Sequence, residues 1–198
     1  MSYFRFFSLL IFSVVALGTS SALTLLGRKS TANQVYTYLN QNNQLAEYVS
    51  ESGTAVVTGG NSGIGAETVK TLVKSGMNVV LCARNLESAA SLKKALPSDQ
   101  QDRVDIQYMD LSDLVSVKLA SEDILKKYDQ VDVLVNNAGI MALPKRETTV
   151  DNVEQQFGTN HVAHHYLVRL LLPQMNKNGR IVTVASTAQA MAKAPLND

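Results

Sequence analysis

The sequence predicts a doubly wound parallel α/β sheet, and three observations carry that prediction. From Thr54 onward, short runs that are apolar at nearly every position alternate with stretches of helical spacing. Turn-forming or helix-stopping residues such as Ser75-Gly76, Pro97 and Pro173 separate the segments. A glycine-rich turn joins the first strand to the first helix. Strands apolar on both faces must be covered on both sides, and right-handed crossovers then wind helices onto both faces. The expected strand order is 3-2-1-4-5, with a ligand crevice where the order reverses, between strands 1 and 4.

The elements follow in order. TAVVT (54–58) is a β-branched run and the first strand. Ile64–Lys74 places Ile64, Val69, Leu72 and Val73 on one side of a helix. NVVLCA (78–83) is the second strand, and Leu86–Leu96 the second helix. VDIQYM (104–109) alternates and reads as the third strand. Ser112 is expected to cap a helix whose Val115, Leu119 and Leu125 face inward. VDVLVN (131–136) is the fourth strand, a long helix covers roughly Val150–Leu172, and RIVTVAS (180–186) is the fifth strand.

A length of 198 residues suits one domain. Hydrophobic residues make up 45% and charged residues 18%, a globular rather than a disordered composition. Lys+Arg number 18 against 17 Asp+Glu, and from Gly53 onward the count is 15 against 15. That balance argues against a broad nucleic-acid footprint. The single cysteine, Cys82, excludes an intramolecular disulfide framework and a multi-cysteine zinc site. It reads as a small buried hydrophobe in the second strand. His161, His164 and His165 share one helix, but no carboxylate or cysteine stands beside them, so no metal site is expected.

The N-terminus is a separate unit. Residues 6–26, FFSLLIFSVVALGTSSALTLL, carry no charge, with Arg5 before them and Arg28-Lys29 after. A signal peptide would use Arg5, the apolar stretch to Leu17 and a cleavage site at Ser20-Ser21-Ala22. A membrane anchor would use the whole run, which meets the ~20 residues needed to cross hydrocarbon. Both readings direct the chain to the secretory pathway or an endoplasmic-reticulum-type membrane. Residues 30–50 are rich in Asn and Gln and offer only short helical turns around Val35, Leu39, Leu45 and Val49. The expected organisation is a signal or anchor at 1–26, a polar spacer at 27–52 and a dinucleotide-binding domain at 53–198.

Thr58-Gly59-Gly60-Asn61-Ser62-Gly63-Ile64-Gly65 forms the turn after the first strand. Glycines there let the backbone approach a pyrophosphate and present helix N–H groups to the anion. No Lys-[Ser/Thr] follows, which excludes an NTPase phosphate loop. The spacing T-G-x-x-x-G-x-G resembles the short-chain dehydrogenase/reductase family. Four further landmarks of that family stand in order: Asp110-Leu111 after strand 3, Asn136-Asn137-Ala138-Gly139 closing strand 4, Asn160 in the next helix and Ser186 ending strand 5. The resemblance runs from about Thr54 to the C-terminus. VVLCARN, FGTNHVAHHYL and GRIVTVAS look most like its retinol-dehydrogenase-like branch.

The resemblance implies a Rossmann-type fold and roles for these residues. The glycine turn, with Thr58, Gly59, Asn61, Ser62, Gly63, Ile64 and Gly65, would hold the cofactor. Asp110 would accept a bond from the adenine amino group beside Leu111, and Asn137, Ala138 and Gly139 would complete the site. An NAD site usually carries a carboxylate at the end of strand 2 for the ribose 2′-hydroxyl. Here Ala83 and Arg84 stand there, and a guanidinium attracts a 2′-phosphate, so NADP(H) is favoured over NAD(H).

In the family a serine binds the reacting oxygen, an asparagine positions a water, and a tyrosine with a lysine four residues on moves the proton. Ser186 and Asn160 match the first two; for Asn160, satisfying a neighbouring backbone group is a compatible role. None of the seven tyrosines has Lys four residues later, and the chain stops twelve residues after Ser186. The expectation is an N-terminal portion of an oxidoreductase that interconverts a carbonyl and an alcohol on a lipophilic small molecule. The alternative is a catalytically inactive nucleotide-binding or interaction module. An apolar fifth strand left open would invite pairing with another chain, so a homo-oligomer is open.

Overall fold

The computed structural model describes residues 30–186. The uncharged run at 6–26, with its signal or anchor readings, lies outside them. Five parallel strands form one sheet in the order β3-β2-β1-β4-β5, as the alternation predicts. They are β1 (Thr54–Thr58), β2 (Asn78–Ala83), β3 (Val104–Tyr108), β4 (Val131–Asn136) and β5 (Met175–Thr183).

The two faces of the sheet divide by residue parity, because successive side chains of a strand point to opposite faces. Ala55 and Val57 of β1, Val79 and Leu81 of β2, and Val133 and Val135 of β4 build one core. It is covered by α1 (Ala32–Gln41), α3 (Gly63–Lys74) and α4 (Leu86–Lys94). Val56, Val80, Cys82 and Leu134 build the other, beneath α6 (Leu114–Lys127) and α8 (Ala163–Leu171). Both faces of β1 and β2 are therefore dry, which is why their sequences read as unbroken apolar runs. Two single turns, α2 (Leu45–Tyr48) and α5 (Ser98–Gln101), complete the helices before β3.

Several elements differ from the sequence reading. A ten-residue helix, α1, occupies a stretch expected to hold only short turns. Thr31 and Gln34 form a reciprocal capping box at its start, and Val35 and Leu39 join the core beside α3. Asp113, not Ser112, caps α6, accepting from the Val115 and Ser116 N–H groups. Ser112 instead binds the Asp110 carboxylate. The inward face of α6 is Val117, Ala120, Ser121 and Ile124, whereas Val115 and Leu119 are exposed.

The long helix begins later than Val150. A loop ends in the Thr148–Glu154 bridge, and Glu154 caps a short turn, α7 (Gln155–Phe157). A π-helical turn (Gly158–Val162) then leads into α8. β5 starts five residues before the expected Arg180. Its pairing with β4 slips between Val131 and Val133, where the polar stretch Asn176–Gly179 bulges.

Candidate functional site

The carboxyl ends of β1, β2, β3 and β4 open on a crevice of about 380 Å³ where the strand order reverses. Its floor is the turn between β1 and α3. Gly59 has φ +62°, and a Cβ there would press on Ala138 Cα at 3.0 Å. A Cβ on Gly65 would overlap the Gly59 carbonyl oxygen. These positions need glycine because turn and helix pack backbone to backbone. The first turn of α3 thus lies directly against the strand end, and Ser62 and Ile64 at its start line the crevice.

Thr58 anchors this floor to the neighbouring strand. Its hydroxyl accepts from the Asn137 and Ala138 N–H groups at 3.0 and 3.1 Å. Asn137 returns the contact, donating from Nδ2 to the Thr58 carbonyl at 2.9 Å. The Thr58 hydroxyl also faces two acceptors, His164 Nε2 at 2.9 Å and, farther off, the Val135 carbonyl oxygen at 3.4 Å. On its other side His164 Nδ1 lies 2.9 Å from the Asn160 carbonyl oxygen, an acceptor, so Nδ1 carries the ring proton. Nε2 is then the acceptor, and the Thr58 hydroxyl donates to it. Burial holds the His164 pKa below its ordinary value, and the neighbouring His161 adds to this, while the bond to Asn160 opposes it.

Asn160 is exposed, and its carboxamide is committed to one loop residue. Oδ1 accepts from the Ile140 N–H and Nδ2 donates to the Ile140 carbonyl, both at 2.8 Å. This is the backbone-satisfying role, and it fixes the loop that follows Gly139. Ser186 lies exposed three residues beyond the end of β5.

The far wall is formed by the ends of β2 and β3. Ala83 is buried, and Arg84 and Asn85 follow at the rim. Arg84 is mostly exposed and sits 3.9 Å from Asp110 Oδ1, a loose pair that screening leaves weak. The Asp110 carboxylate takes both Ser112 bonds on the same Oδ1 at 2.8 Å. Asn61 crosses from the glycine turn to α4, donating to Ser88 Oγ at 2.7 Å.

Of the residues expected from the sequence, Thr58, Gly59, Asn61, Ser62 and Ile64 line the crevice from the turn. Arg84, Asp110 and Leu111 line its far wall, and Asn137, Ala138 and Gly139 its near wall. Gly63 and Gly65 shape the turn without lining the space. The crevice also contains Cys82, Met109, Ile140 and Thr159, which the sequence reading did not place there. Cys82 is fully buried, which pushes its thiol up to about 12 and leaves it unreactive at neutral pH. Thr159 has a buried hydroxyl oxygen with no hydrogen-bond partner among the described residues. A glycine floor at the start of a helix suits a phosphate-bearing dinucleotide. Among the described residues no group of three metal-binding side chains is present.

A family model described as short chain dehydrogenase matches residues 53–196. The chain belongs to the short-chain dehydrogenase family. Human retinol dehydrogenase 13 is 34% identical over 148 residues, covering 73% of this chain and 44% of that protein. Human polyprenol dehydrogenase is 34% identical over 151 residues, covering 73% and 46%. The chain therefore spans about half the length of the curated relatives it matches. A solved short-chain dehydrogenase/reductase from Burkholderia phymatum in complex with NAD superposes with a TM-score of 0.59 at 26% identity. That match covers 73% of this short-chain dehydrogenase chain and 52% of the solved one.

Proposed function

We propose that this chain is the cofactor-binding part of an NAD(P)(H)-dependent oxidoreductase that interconverts a carbonyl and an alcohol on a lipophilic small molecule. The observation that carries the reading is the crevice itself, where the glycine turn, Asp110 and the Asn137–Gly139 segment converge. The lipophilic substrate class rests on the retinol and polyprenol dehydrogenase relatives. The uncharged run at 6–26 supports delivery to the secretory pathway or an endoplasmic-reticulum-type membrane. Among the described residues no helix is long and apolar enough to cross a membrane.

NADP(H) is the favoured cofactor. Solved relatives are in complex with NAD in one case and 5-hydroxy-NADP in another, so Arg84 alone carries this preference. No carboxylate ends β2, and among the described residues the Arg84 guanidinium has a loose pair with Asp110. It is free to turn onto a 2′-phosphate and bond it with two N–H groups. When bound, the cofactor supplies the hydride. The Thr58–Asn137 bonds hold the floor, and Ser186 offers a hydroxyl for the reacting oxygen. Asn160 fixes the loop after Gly139 and stands as the residue of the proton relay.

The chain contains no Tyr-x-x-x-Lys. That observation favours a second reading, a nucleotide-binding or interaction module without turnover. Titration of the 198-residue chain with NADPH and NADH should show tighter binding of NADPH, and Arg84→Asp should weaken NADPH about ten- to a hundredfold. NADH should change far less; equal losses would remove Arg84 from the 2′-phosphate site. Binding without turnover of retinoid or aliphatic aldehydes is expected of these 198 residues under both readings, and turnover would require another proton donor. An in-frame Tyr-x-x-x-Lys segment encoded downstream of Asp198 would decide for the oxidoreductase, and a stop codon there in a mature transcript for the module.

A further inference from the structure

β5 starts at the pole of the sheet opposite the crevice, because its pairing with β4 is parallel. The one Asn-Gly pair of the chain, Asn178-Gly179, stands there. It lies in the Asn176–Gly179 bulge, where no residue has a register partner on β4; pairing resumes at Arg180, opposite Val133. A cleft of about 610 Å³, lined also by Ser50, Asp132 and Arg180, opens on the pair. Asn178 is exposed, so water reaches its side chain.

Two observations set this asparagine apart. The first is its freedom. Its backbone N–H donates to Asn176 Oδ1 at 3.1 Å, but its carboxamide has no hydrogen-bond partner among the described residues. Other exposed asparagine side chains are committed. Asn85 Oδ1 accepts from the Ser88 N–H, and Asn160 is clamped to Ile140. Those carboxamides must break bonds before they can rotate, and the Asn178 carboxamide has none to break. The second observation is the residue that follows. A Cβ on Gly179 would stand 2.8 Å from the Asn176 carbonyl oxygen and 3.0 Å from Met175 Cε, so the bulge requires glycine there. Glycine in turn leaves its own backbone nitrogen unshielded by a side chain. The bulge therefore sets an open nitrogen beside a free carboxamide, in a side chain of the thermolabile class.

We propose that Asn178 is a site of spontaneous deamidation in the folded chain. The Gly179 nitrogen attacks Asn178 Cγ. The new N–Cγ bond closes a five-membered succinimide, and Nδ2 leaves as ammonia with the proton given up by the Gly179 nitrogen. Water then opens the ring. Breaking the N–Cγ bond gives an ordinary aspartyl residue. Breaking the bond from nitrogen to the α-carbonyl carbon gives an isoaspartyl residue, whose main chain runs through Cγ. Nothing is oxidised or reduced, and water is the only co-reactant. Either product puts a new carboxylate in the cleft that Asp132 and Arg180 line, and the second lengthens the backbone just before β5 rejoins β4. The inference is independent of the cofactor reading of the crevice.

The test holds the full 198-residue chain, folded, in warm and mildly alkaline buffer over several days. Peptide mapping by mass spectrometry follows each asparagine, and isoaspartyl methyltransferase labels the isoaspartyl product. Asn178 should convert ahead of every other asparagine among the described residues, with isoaspartyl present, and faster as the pH rises. Asn178→Gln should lose the label in this segment, because its ring would be six-membered and closes far more slowly. An Asn178 that stays intact in the folded chain and converts only in urea overturns the inference, since the strand then protects it. Conversion to aspartyl alone, with no isoaspartyl, would mean direct hydrolysis without the Gly179 nitrogen and overturns it as well. Earlier conversion of another described asparagine would overturn the singling out of Asn178 by its free carboxamide.

Discussion

β1 and β5 are both strands of one sheet, yet they present their carboxyl ends very differently. All five residues of β1 are buried, and strands flank it on both sides. Of the nine residues of β5 only Val182 is buried, and among the described residues β4 is its single neighbour. Thr58 at the end of β1 is tied to Asn137, Ala138 and His164. At the end of β5, Thr183 has a 3.3 Å contact from Asn136 Nδ2, while Asn136 Oδ1 has no partner among the described residues. The floor of the crevice is thus built into the interior, where packing leaves one arrangement. The end of β5 is held to β4 by the Val184 N–H bond to the Asn136 carbonyl and the 3.3 Å Thr183 contact.

The contrast is broken most severely at the floor. Gly65→Ala would drive a Cβ into the Gly59 carbonyl and the Asn137 side chain, the first held by the Gly59 N–H bond to the Cys82 carbonyl and the second by its bond to the Thr58 carbonyl. A backbone oxygen there cannot retreat as a flexible side chain could. The variant should lose about 4 kcal/mol of stability and bind no detectable NADPH. Urea unfolding followed by circular dichroism measures the first, and a fluorescence titration the second. Wild-type stability in Gly65→Ala would mean that turn and strand are not packed backbone to backbone.

A pair of truncations sharpens the comparison. Leu134 is fully buried in the middle of β4, whereas its partner Ile181 in β5 is 37% exposed. Leu134→Ala should cost about 3 kcal/mol, combining lost burial with a cavity. Ile181→Ala should cost about 1 kcal/mol or less, because part of its surface is wet in the folded chain. Chemical denaturation of both variants is the measurement. Equal costs would show that β5 is covered on its open side, for instance by a second copy of the chain.

The same contrast governs what could be read from the sequence. β1, β2 and β4 were legible because strands buried on both faces are unbroken apolar runs. β5 was legible only from Arg180, because Met175–Gly179 is mostly polar and extends the strand without the signal of burial. On α6, Val115 and Leu119 share helical spacing, but so do Val117, Ala120 and Ile124, and only packing selects the second face. The glycine turn announced the crevice because its residues are contiguous. Thr159 and the Thr58–His164 contact did not, because Thr159 and His164 lie 101 and 106 residues after Thr58 and only the fold brings them to the crevice. Spacing on one helix suggested what His164 could share with His161 and His165. It held no information about the strand end that His164 meets.

That buried histidine leads to the smallest expected effect, one that appears only in acid. His164 Nδ1–H donates to the Asn160 carbonyl, and Nε2 accepts from Thr58. The Thr58 hydroxyl already receives two N–H groups, so a proton on Nε2 would face an oxygen with no lone pair to spare. Burial disfavours the charged ring further, and His161 is the charged-when-protonated neighbour on the same helix. The folded-state pKa therefore lies below the unfolded value of about 6.5. Above that pH both states are neutral at this ring, and stability is independent of it. As pH falls below it the unfolded chain takes up the proton first, so stability declines until the folded pKa is reached. Urea midpoints measured from pH 8 down to pH 5 should fall along this limb. His164→Gln removes the titrating ring while its side-chain oxygen can still accept from Thr58, so its curve should be flatter over the same range. The exposed His161 and His165 remain in both proteins and cancel in the comparison. Parallel curves for the two proteins would show that His164 binds protons alike in the folded and unfolded chain, and that the Thr58 hydroxyl is not committed as its donor.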